Sequence, residues 1–358
     1  MTAVTGTPGT PATTDHAGAA PLAAFDGLLR GDPAPDWIAT AVHEAWSLDP
    51  TRTEIRLIAV SENATFRVDV DDVPYAVLRV HRPGHVGDTR QIEGELTWVR
   101  RLADECDVTV PDVVPTTSGA LVLTVDGAGG TRWFCVAFAF VTGEILEDLA
   151  DPRPYYAEIG AITARLHDHQ AGWSRPDGFT RFSWTLGDML GTTSRWGDWR
   201  DAALTPPQRE VLEAAESAAL AELADIATDD AGWGLVHADL RPSNIMIHEG
   251  ALTVIDFDDC GFSWLLYDFA AALSFIEHEP YASDIARSWV TGYRTVRTLS
   301  ARDLEHAAAL SMVRRLTMLG WTTTHRADAL PAELWDAQIP GSVLVARRYL
   351  ENRTWLFA

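Results

Sequence analysis

The stretch "LVHADLRPSNIMIHEGALTVIDFDD", residues 235–259, is the part of the sequence that decides the fold. Two short apolar runs within it, at 245–248 and 252–255, predict β-strands joined by a tight hairpin turn at Gly250. An asparagine and several aspartates lie at the ends of these runs that face away from the turn. This distribution indicates a hairpin that carries a chemical site at its open end.

Three polar residues define that expected site. Asn244 lies six residues before Gly250 and Asp256 six residues after it, so a hairpin centred on Gly250 brings their Cα atoms to roughly 5 Å across the strands. An amide oxygen and a carboxylate placed together suit Mg²⁺, which keeps its other positions for water and phosphate oxygens. Asp239 precedes them in a loop that Pro242 keeps from becoming a regular helix. Its carboxylate can accept the proton of a hydroxyl aligned with a metal-bound γ-phosphate.

Each of these residues alone is better explained by a turn with solvated acids. Their combined spacing, D-x4-N-x11-D, is more specific and favours phosphoryl transfer. The pattern "HADLRPSNIMI…LTVIDFDDCG…YDFA" resembles the aminoglycoside phosphotransferase and choline-kinase-like superfamily of small-molecule kinases. The resemblance covers residues 55 to about 275 and implies a bilobal, protein-kinase-like α+β fold. In that fold an antiparallel five-stranded N-terminal lobe precedes a mainly helical C-terminal lobe.

The resemblance also implies roles for individual residues. Asp239 corresponds to the catalytic base, and Asn244 and Asp256 correspond to the magnesium ligands. Asp268, in "YDFA", corresponds to the aspartate that braces the catalytic loop, and His237 to a structural histidine whose ring is hydrogen-bonded beneath it. These are the roles that the three-dimensional structure has to accommodate.

A kinase of this class needs a cation on the third strand to hold the nucleotide phosphates, tied to a helix glutamate. All 28 basic residues are arginines, so Arg79 in "YAVLRVHRPG" is the candidate, and any mechanism that needs an active-site lysine is excluded. Glu95 lies within the apolar stripe of the helix predicted over 89–103, and a buried acid needs a partner. We therefore expect an Arg79–Glu95 pair. The alternative is an exposed Arg79 and a snorkelling Glu95.

Two loops complete the expected nucleotide site, and one residue departs from the family pattern. Asn63 lies in "SENAT", residues 61–65, which either covers the phosphates with backbone N–H groups or is a plain hairpin turn, since it has no glycine. Phe140 lies in "FAFVTG", residues 138–143, which by resemblance is the hinge that pairs with a purine edge. Ala238 stands where the family usually has glycine, and its methyl group is tolerated unless the residue has a positive φ.

The sequence predicts two lobes after a flexible tail, because the chain exceeds the usual size of a single core. The tail is 1–25, rich in Thr, Pro, Gly and Ala and without signal-peptide features; the nucleotide-binding lobe is 26–142 and the catalytic and substrate-binding lobe is 143–358. Periodicity predicts strands at 54–60, 65–70, 75–80, 120–125 and 133–141. It predicts helices at 21–31, 35–46, 89–103, 155–169, 206–227, 265–278, 281–296, 301–321 and 340–353.

Composition narrows the function classes. The net charge of −23 disfavours a nucleic-acid partner and leans slightly toward a cationic acceptor. The sequence contains no apolar run of about 18 residues, so it predicts no membrane span. The three cysteines are far apart and give no disulfide or zinc pattern, which is typical of a reducing cytoplasm. The oligomeric state is open at this point.

Several residues have two readings, as pocket residues or as structural residues, which are equal for the tryptophans and favour a structural role for the others. The segment 170–200 concentrates tryptophans that either wall an acceptor pocket or form a small satellite core, while two aspartates after Asp256 either bind a cationic acceptor or cap a turn. Two C-terminal aromatic residues are further pocket candidates. These residues are Trp173, Trp184, Trp196, Trp199, Asp258, Asp259, Trp321 and His325.

The sequence thus predicts an ATP- or GTP- and Mg²⁺-dependent phosphotransferase acting on a hydroxyl of a small molecule. An aminoglycoside, an amino alcohol and a hydroxyamino acid are the acceptor classes that the acidic balance favours. A stress-response protein Ser/Thr kinase is a rival, disfavoured by the short run between Asp256 and "YDFA". A nucleotide-binding pseudokinase or scaffold is another, left open by Arg79 and the glycine-free loop.

Overall fold

A computed structural model of the chain describes residues 24–25, 27–61, 63–83, 88–127, 130–226, 232–325 and 330–358. Nearly all of the predicted tail therefore lies outside the described residues. The strands are β1 Thr53–Val60, β2 Ala64–Val70, β3 Val73–His81, β4 Leu123–Asp126, β5 Arg132–Ala139, β6 Glu144–Ile145, β7 Trp233–Val236, β8 Ile245–His248, β9 Ala251–Val254 and β10 Gly261–Trp264. The helices are α1 Asp36–Trp46, α2 Thr89–Glu105, α3 Tyr156–Gly172, α4 Leu186–Met189, α5 Pro206–Glu222, α6 Tyr267–Ala272, α7 Ala282–Tyr293, α8 Ala301–Thr324, α9 Ala332–Asp336 and α10 Gln338–Glu351.

The N-terminal half is built on a five-stranded antiparallel sheet in the order β1-β2-β3-β5-β4. Side chains alternate across its faces, so Leu78 and Val80 of β3 pack with α1 residues such as Ile38 in one hydrophobic core. Arg79 lies between them in sequence and therefore faces the opposite side of the sheet. The strand period thus directs one charged residue of β3 away from the core that α1 covers.

Helix α2 covers that opposite face and joins the two halves of the molecule. Its Ile92 and Leu96 pack against Val136 of β5. Its Trp98 and Leu102 belong instead to the large core of the C-terminal half. Helix α2 therefore packs both against the sheet and in the C-terminal core, and Glu95 is fixed relative to both.

The C-terminal half is mainly helical. Helix α8 passes through its centre, and every residue from His306 to Trp321 is buried, including two consecutive arginines. A helix that is buried around its whole circumference shows no amphipathic period. Around it pack α5, α6 and α10, while α3 packs against α7. Two small sheets, β6-β8-β9 and β7-β10, lie beside this helical core.

The predicted fold class is confirmed, and the five strands and most helices lie where periodicity placed them. The helix predicted over 265–278 is wrong in length: α6 ends at Ala272, and Phe275 has a φ of +73°, which a helix does not admit. Residues 27–31 form turns rather than part of a helix, with positive φ at Gly27 and Gly31. Strands β6, β7 and β10 were not predicted, because two to four residues are too few to show a period.

The predicted lobe boundary at residue 142 falls between β5 and β6 and remains a prediction. Among the described residues, none of the helices combines the length and the apolar character that a membrane crossing requires.

The crossing of α3 and α7 generates a stability prediction. A Cβ atom at Gly292 of α7 would lie 1.6 Å from the carbonyl oxygen of Ala157, so the two helices meet backbone to backbone. We expect Gly292→Ala to lower the free energy of unfolding by about 3 kcal/mol, because the backbone has to separate. The measurement is urea or thermal unfolding of both proteins.

Gly172 at the end of α3 is the matched control, since a Cβ there would meet nothing within 4 Å. Gly172→Ala is expected to leave stability unchanged or to raise it slightly. Equal stability of the Gly292→Ala variant and the parent would contradict this close helix crossing.

Candidate active site

The hairpin of the opening stretch forms, but its register differs by one residue from the prediction. Glu249 and Gly250 make a two-residue turn, both with positive φ, and His248 pairs with Ala251. The hairpin is therefore centred between the two turn residues rather than on Gly250. Asn244 consequently faces Ile255, whose N–H donates to the Asn244 carbonyl at 3.0 Å, and does not face Asp256.

Asp256 nevertheless reaches the same site as Asn244. A shift of one residue along a strand sends a side chain to the opposite face. Asp256 has a φ of +62°, however, so the backbone leaves the extended conformation there and the carboxylate turns back. Asn244, Asp256 and Asp239 all line one cavity of about 360 Å³. The three residues converge, although not through the cross-strand geometry that the sequence predicted.

Both carboxylate oxygens of Asp239 are hydrogen-bonded. Nδ2 of Asn244 donates to Oδ2 at 2.7 Å and also to the Asp239 carbonyl at 2.9 Å. On the other side, Nη2 of Arg314 donates to Oδ1 at 2.5 Å. The carboxylate is therefore held between an amide of the catalytic loop and a guanidinium of α8.

The loop that carries Asp239 is braced from beneath by Asp268, which is fully buried at the start of α6. Its carboxylate accepts the N–H groups of His237 at 3.1 Å and of Ala238 at 2.6 Å, and it also contacts the His167 ring at 3.1 Å. Nε2 of His237 lies 3.2 Å from the Ile255 carbonyl, which ties the loop to the hairpin. This is the arrangement that the family resemblance implied for Asp268 and His237.

Ala238 has a φ of +67°, the condition under which its methyl group carries a cost. The positive φ aims two consecutive N–H groups at one carboxylate, and these charge-assisted bonds offset a backbone strain of about 1 kcal/mol. Glycine would adopt this conformation without strain. The departure from the family pattern is thus accommodated by the buried aspartate.

Arg79 and Glu95 form a buried ion pair, with Nη2 and Oε1 2.5 Å apart. Nη1 of Arg79 also lies 3.2 Å from Oδ1 of Asp256, which links β3 of the N-terminal sheet to the hairpin. Burial alone would lower the pKa of Arg79, but the carboxylates of Glu95, Asp258 and Asp256 outweigh it and raise the pKa above its usual value. Nε of Arg79 is buried and has no hydrogen-bond partner among the described residues.

The acids around Asp256 create an unbalanced negative site. Burial, followed by the nearby charge of Asp258, raises the pKa of Asp256 well above its usual value, although its side chain still opens onto the cleft. Among the described residues no three His, Cys, Asp or Glu side chains form a complete metal cage. One carboxylate and one amide oxygen, with open positions beside them, are what Mg²⁺ uses when phosphates and water complete its shell. The donor set fits such a cation.

Asn63 of the β1–β2 connection contacts the hairpin segment rather than only its own loop. Its Nδ2 donates to Oδ2 of Asp258 at 2.7 Å, and its Oδ1 accepts the N–H of Arg82 at 3.3 Å. Glu62 of the predicted phosphate loop lies outside the described residues. Asn63 lines the cavity, so the structure brings it to the site that the sequence assigned to it.

Phe140 lies beyond the end of β5 and is not among the residues that line the cavity. Its N–H donates to the Tyr75 carbonyl at 3.3 Å, and its ring lies 5.3 Å from the guanidinium carbon of Arg67. Its assignment to a purine-binding hinge therefore remains a prediction that the cavity does not test.

The four tryptophans of residues 170–200 were expected either to line a pocket or to form a small core, and the structure shows some in each position. Trp184 and Trp199 are fully buried core residues, and Trp173 packs edge-on against Phe179. Trp196 lines the cavity. Of the C-terminal candidates, Trp321 lines the cavity, and His325 stacks on it with ring centroids 4.2 Å apart. Arg241, Phe275, Met318 and Leu330 also line the cavity.

Sequence reasoning missed two arginines that shape this site. Arg181 donates to the carbonyls of Gln91, Asp258 and Cys260, so it fixes the segment after Asp256 against α2. The sequence pattern placed Arg314 in a predicted helix and gave it no role in the site. The available signal was its place within the long apolar run "AAALSMVRRLTMLGW", because an arginine in a buried helix needs an acid or carbonyl partner.

A five-stranded antiparallel sheet beside a helical region, with a polar cavity between them, defines a bilobal protein-kinase-like protein. The profile of the phosphotransferase enzyme family matches residues 54–299, so the chain belongs to that family. The family resemblance read from the sequence is therefore confirmed.

Three known proteins show what the chain is similar to. A solved microcompartment-associated aminopropanol kinase is 36% identical, with a TM-score of 0.79 over 88% of this chain and 98% of that one. An amicoumacin kinase solved in complex with AMP-PNP, Ca²⁺ and Ami is 18% identical, with a TM-score of 0.69 over 87% of this chain and 92% of that one, and shows the fold alone. The amicoumacin kinase of Bacillus subtilis (strain 168) is 25% identical over 225 residues. That match spans 62% of this chain and 63% of the relative, less than two thirds of its length.

The brace beneath the catalytic loop generates a prediction. Asp268→Asn replaces one acceptor oxygen by an NH₂ group that faces a backbone N–H, while the residue stays buried. We expect the free energy of unfolding to fall by about 3 kcal/mol and turnover to fall about 100-fold, because the loop loses its orientation. Unfolding curves and initial rates of nucleoside diphosphate release measure the two effects.

Asp168→Asn is the matched control. Asp168 lies on α3 and pairs with Arg297 at an exposed site, so its loss is expected to change stability by less than about 0.5 kcal/mol. If Asp268→Asn left both the free energy of unfolding and the turnover unchanged, the negative charge of this carboxylate would not be needed to hold the loop.

Proposed function

We propose that this protein is a kinase that transfers the γ-phosphate of ATP or GTP to a hydroxyl group of a small amino-containing molecule. The observation that carries the proposal is the convergence of Asp239, Asn244 and Asp256 on one cavity that Arg79 also lines. Phosphoryl transfer requires a carboxylate that accepts the proton of the acceptor hydroxyl, two oxygen ligands for a metal cation, and a positively charged side chain for the phosphates.

In the proposed reaction the acceptor hydroxyl donates a hydrogen bond to Asp239. The hydroxyl oxygen forms a bond to the γ-phosphorus as the bond from that phosphorus to the β–γ bridging oxygen breaks, and the hydroxyl proton passes to Asp239. Asn244 and Arg314 hold the carboxylate throughout, since both of its oxygens accept a hydrogen bond. Positioning supplies most of the catalysis in such a site.

Arg79 is the proposed phosphate ligand, fixed by Glu95 and placed beside Asp256. Mg²⁺ held by Asn244 and Asp256 would neutralise phosphate charge and the crowded acids of the cleft. The AMP-PNP and Ca²⁺ of the amicoumacin kinase complex are a nucleotide and a divalent cation of the proposed kinds. Asn63 is proposed to cover the phosphates, and Phe140 to lie at the purine end.

The acceptor is proposed to be a small amino alcohol rather than an aminoglycoside. The acceptor end of the cavity is closed by apolar side chains, among them Trp196, Trp321 and Leu330, while Asp258 and Asp259 supply negative charge. A cavity of about 360 Å³ suits a small molecule next to the phosphates. The similarity to an aminopropanol kinase supports the same class.

The remaining assignments rest on composition. The net charge of −23 argues against a nucleic-acid partner, and the three cysteines are unpaired in the structure, which suits a reducing cytoplasm. The division into a nucleotide-binding lobe to residue 142 and a catalytic lobe from residue 143 is proposed with them.

The role of Asp239 is tested by separating binding from turnover. We expect Asp239→Ala to retain Mg-nucleotide binding within about threefold, because the nucleotide ligands are intact, and to lose about 10³-fold in turnover. Asp256→Ala is the contrasting variant and is expected to weaken Mg-nucleotide binding first. Calorimetric titration with AMP-PNP and Mg²⁺, beside initial rates, makes the comparison. Substantial residual turnover in Asp239→Ala would remove Asp239 from its proposed role.

The acceptor class is tested by nucleoside diphosphate release with ATP and with GTP. The acceptors are aminopropanol, an aminoglycoside, a hydroxyamino acid and a polypeptide, and we expect the highest kcat/KM with aminopropanol. Turnover of the polypeptide alone would favour a protein kinase. Nucleotide binding without turnover of any acceptor would favour a scaffold.

A further inference from the structure

Arg314 of α8 is a buried charged residue that the sequence pattern did not assign. It has no measurable solvent exposure, yet its guanidinium lies at the wall of the cavity. Every side of it is engaged. Nε donates to the Ser274 hydroxyl at 3.0 Å, and Nη1 donates to the Tyr267 hydroxyl at 2.9 Å and the Ala238 carbonyl at 3.2 Å. Its position is therefore set independently of Asp239.

Aromatic rings confine the same group. The guanidinium carbon lies 5.0 Å from the ring of Trp196 and 5.4 Å from the ring of Tyr267. Contacts of this kind hold a planar cation in a fixed plane. The remaining nitrogen, Nη2, points to Oδ1 of Asp239 at 2.5 Å. A rigid donor of this kind fixes where the carboxylate can lie.

Helix α8 also contributes to the acceptor end of the cavity. Arg314, Met318 and Trp321 are spaced i, i+4 and i+7, which places them on one stripe of the helix, and all three line the cavity. The buried part of α8 therefore carries both the donor to Asp239 and part of the acceptor wall. The donor and that wall are fixed relative to each other within a single helix.

We propose that Arg314 is a positioning residue of the phosphoryl transfer: it holds Asp239 in the orientation that receives the acceptor hydroxyl, in register with the α8 acceptor wall. This inference rests on the proposed function, since it takes Asp239 as the group that receives the hydroxyl proton. Asn244 and Arg241 both contact Oδ2 of Asp239, at 2.7 Å and 3.7 Å, so without Arg314 the other carboxylate oxygen would be unrestrained. The second donor on the opposite oxygen removes that freedom.

The structural alternative is that Arg314 only fastens Ala238 and Tyr267 together. Arg315 provides the matched control, because it is the next residue, is equally buried and also forms an ion pair, with Glu277 at 2.9 Å. Its guanidinium contacts Ser342 and two backbone carbonyls and does not contact Asp239. Loss of Arg315 reports the cost of removing a buried arginine from α8 without touching the reacting groups.

The experiment compares Arg314→Gln, Arg314→Lys and Arg315→Gln in the full chain, with ATP, Mg²⁺ and aminopropanol. We expect Arg314→Gln to lower kcat about 100-fold while KM for ATP stays within about threefold. Arg314→Lys keeps the positive charge but lacks the branched guanidinium group, so its kcat is expected to be about tenfold higher than that of Arg314→Gln. Arg315→Gln is expected to be less stable, with kcat per folded molecule within about threefold of the parent.

A kcat of Arg314→Gln within threefold of the parent, or equal losses in the two glutamine variants, would overturn the inference. If Arg314→Gln does not fold, Arg314→Lys is compared with the parent; a kcat lowered about tenfold is expected, and an unchanged kcat would overturn the inference. A dead Asp239→Ala beside a normal Arg314→Gln would remove only the role of Arg314. An active Asp239→Ala would remove the proposed function itself.

A crystal structure of Arg314→Gln gives a readout that needs no acceptor. We expect the Asp239 carboxylate to leave the position in which Asn244 donates to Oδ2. A carboxylate that stays there, with the cavity otherwise unchanged, would show that its contacts with Asn244 and Arg241 suffice to position it, and would overturn the inference.

Discussion

Four carboxylates, those of Asp239, Asp256, Asp258 and Asp259, line one cavity, and keeping them together is the constraint on which the site depends. Carboxylates that share a cleft repel one another, and arginines from separate elements offset that repulsion. Desolvation, followed by the negative charge of Asp258, raises the pKa of Asp256.

Each of these arginines is anchored to a different part of the fold. Arg79 comes from the N-terminal sheet and is tied to Glu95 of α2, and Arg314 comes from the buried central part of α8. Arg181 fastens the backbone after Asp256 through carbonyl groups. Because α2 packs against Val136 of the sheet and also in the C-terminal core, the Arg79–Glu95 pair and the hairpin keep a fixed relation. Packing on the two sides of α2 thereby fixes the geometry of the cleft.

The part of the site within residues 237–268 could be predicted, since its residues are close in sequence and a hairpin fixes their separation. Even there the register was off by one, because the turn has two residues and is centred between them. The Arg79–Glu95 pair could be predicted for another reason, because the periods of strands and helices place each residue on a definite face. The length of α6 could not be predicted, because the positive φ at Phe275 follows from packing and not from the local sequence pattern.

The sequence by itself determined the two-part α+β architecture, the hairpin with its acids and the absence of any lysine from the site. Periodicity and short spacing carry that information, because they act within one element or one turn. Only the tertiary structure decided that Asp256 turns back through a left-handed backbone, that Trp196 and Trp321 line the cavity, and that Arg314 reaches Asp239. Arg314 lies 75 residues from Asp239 along the chain. A contact over that separation exists only once the buried helix has packed against the loop.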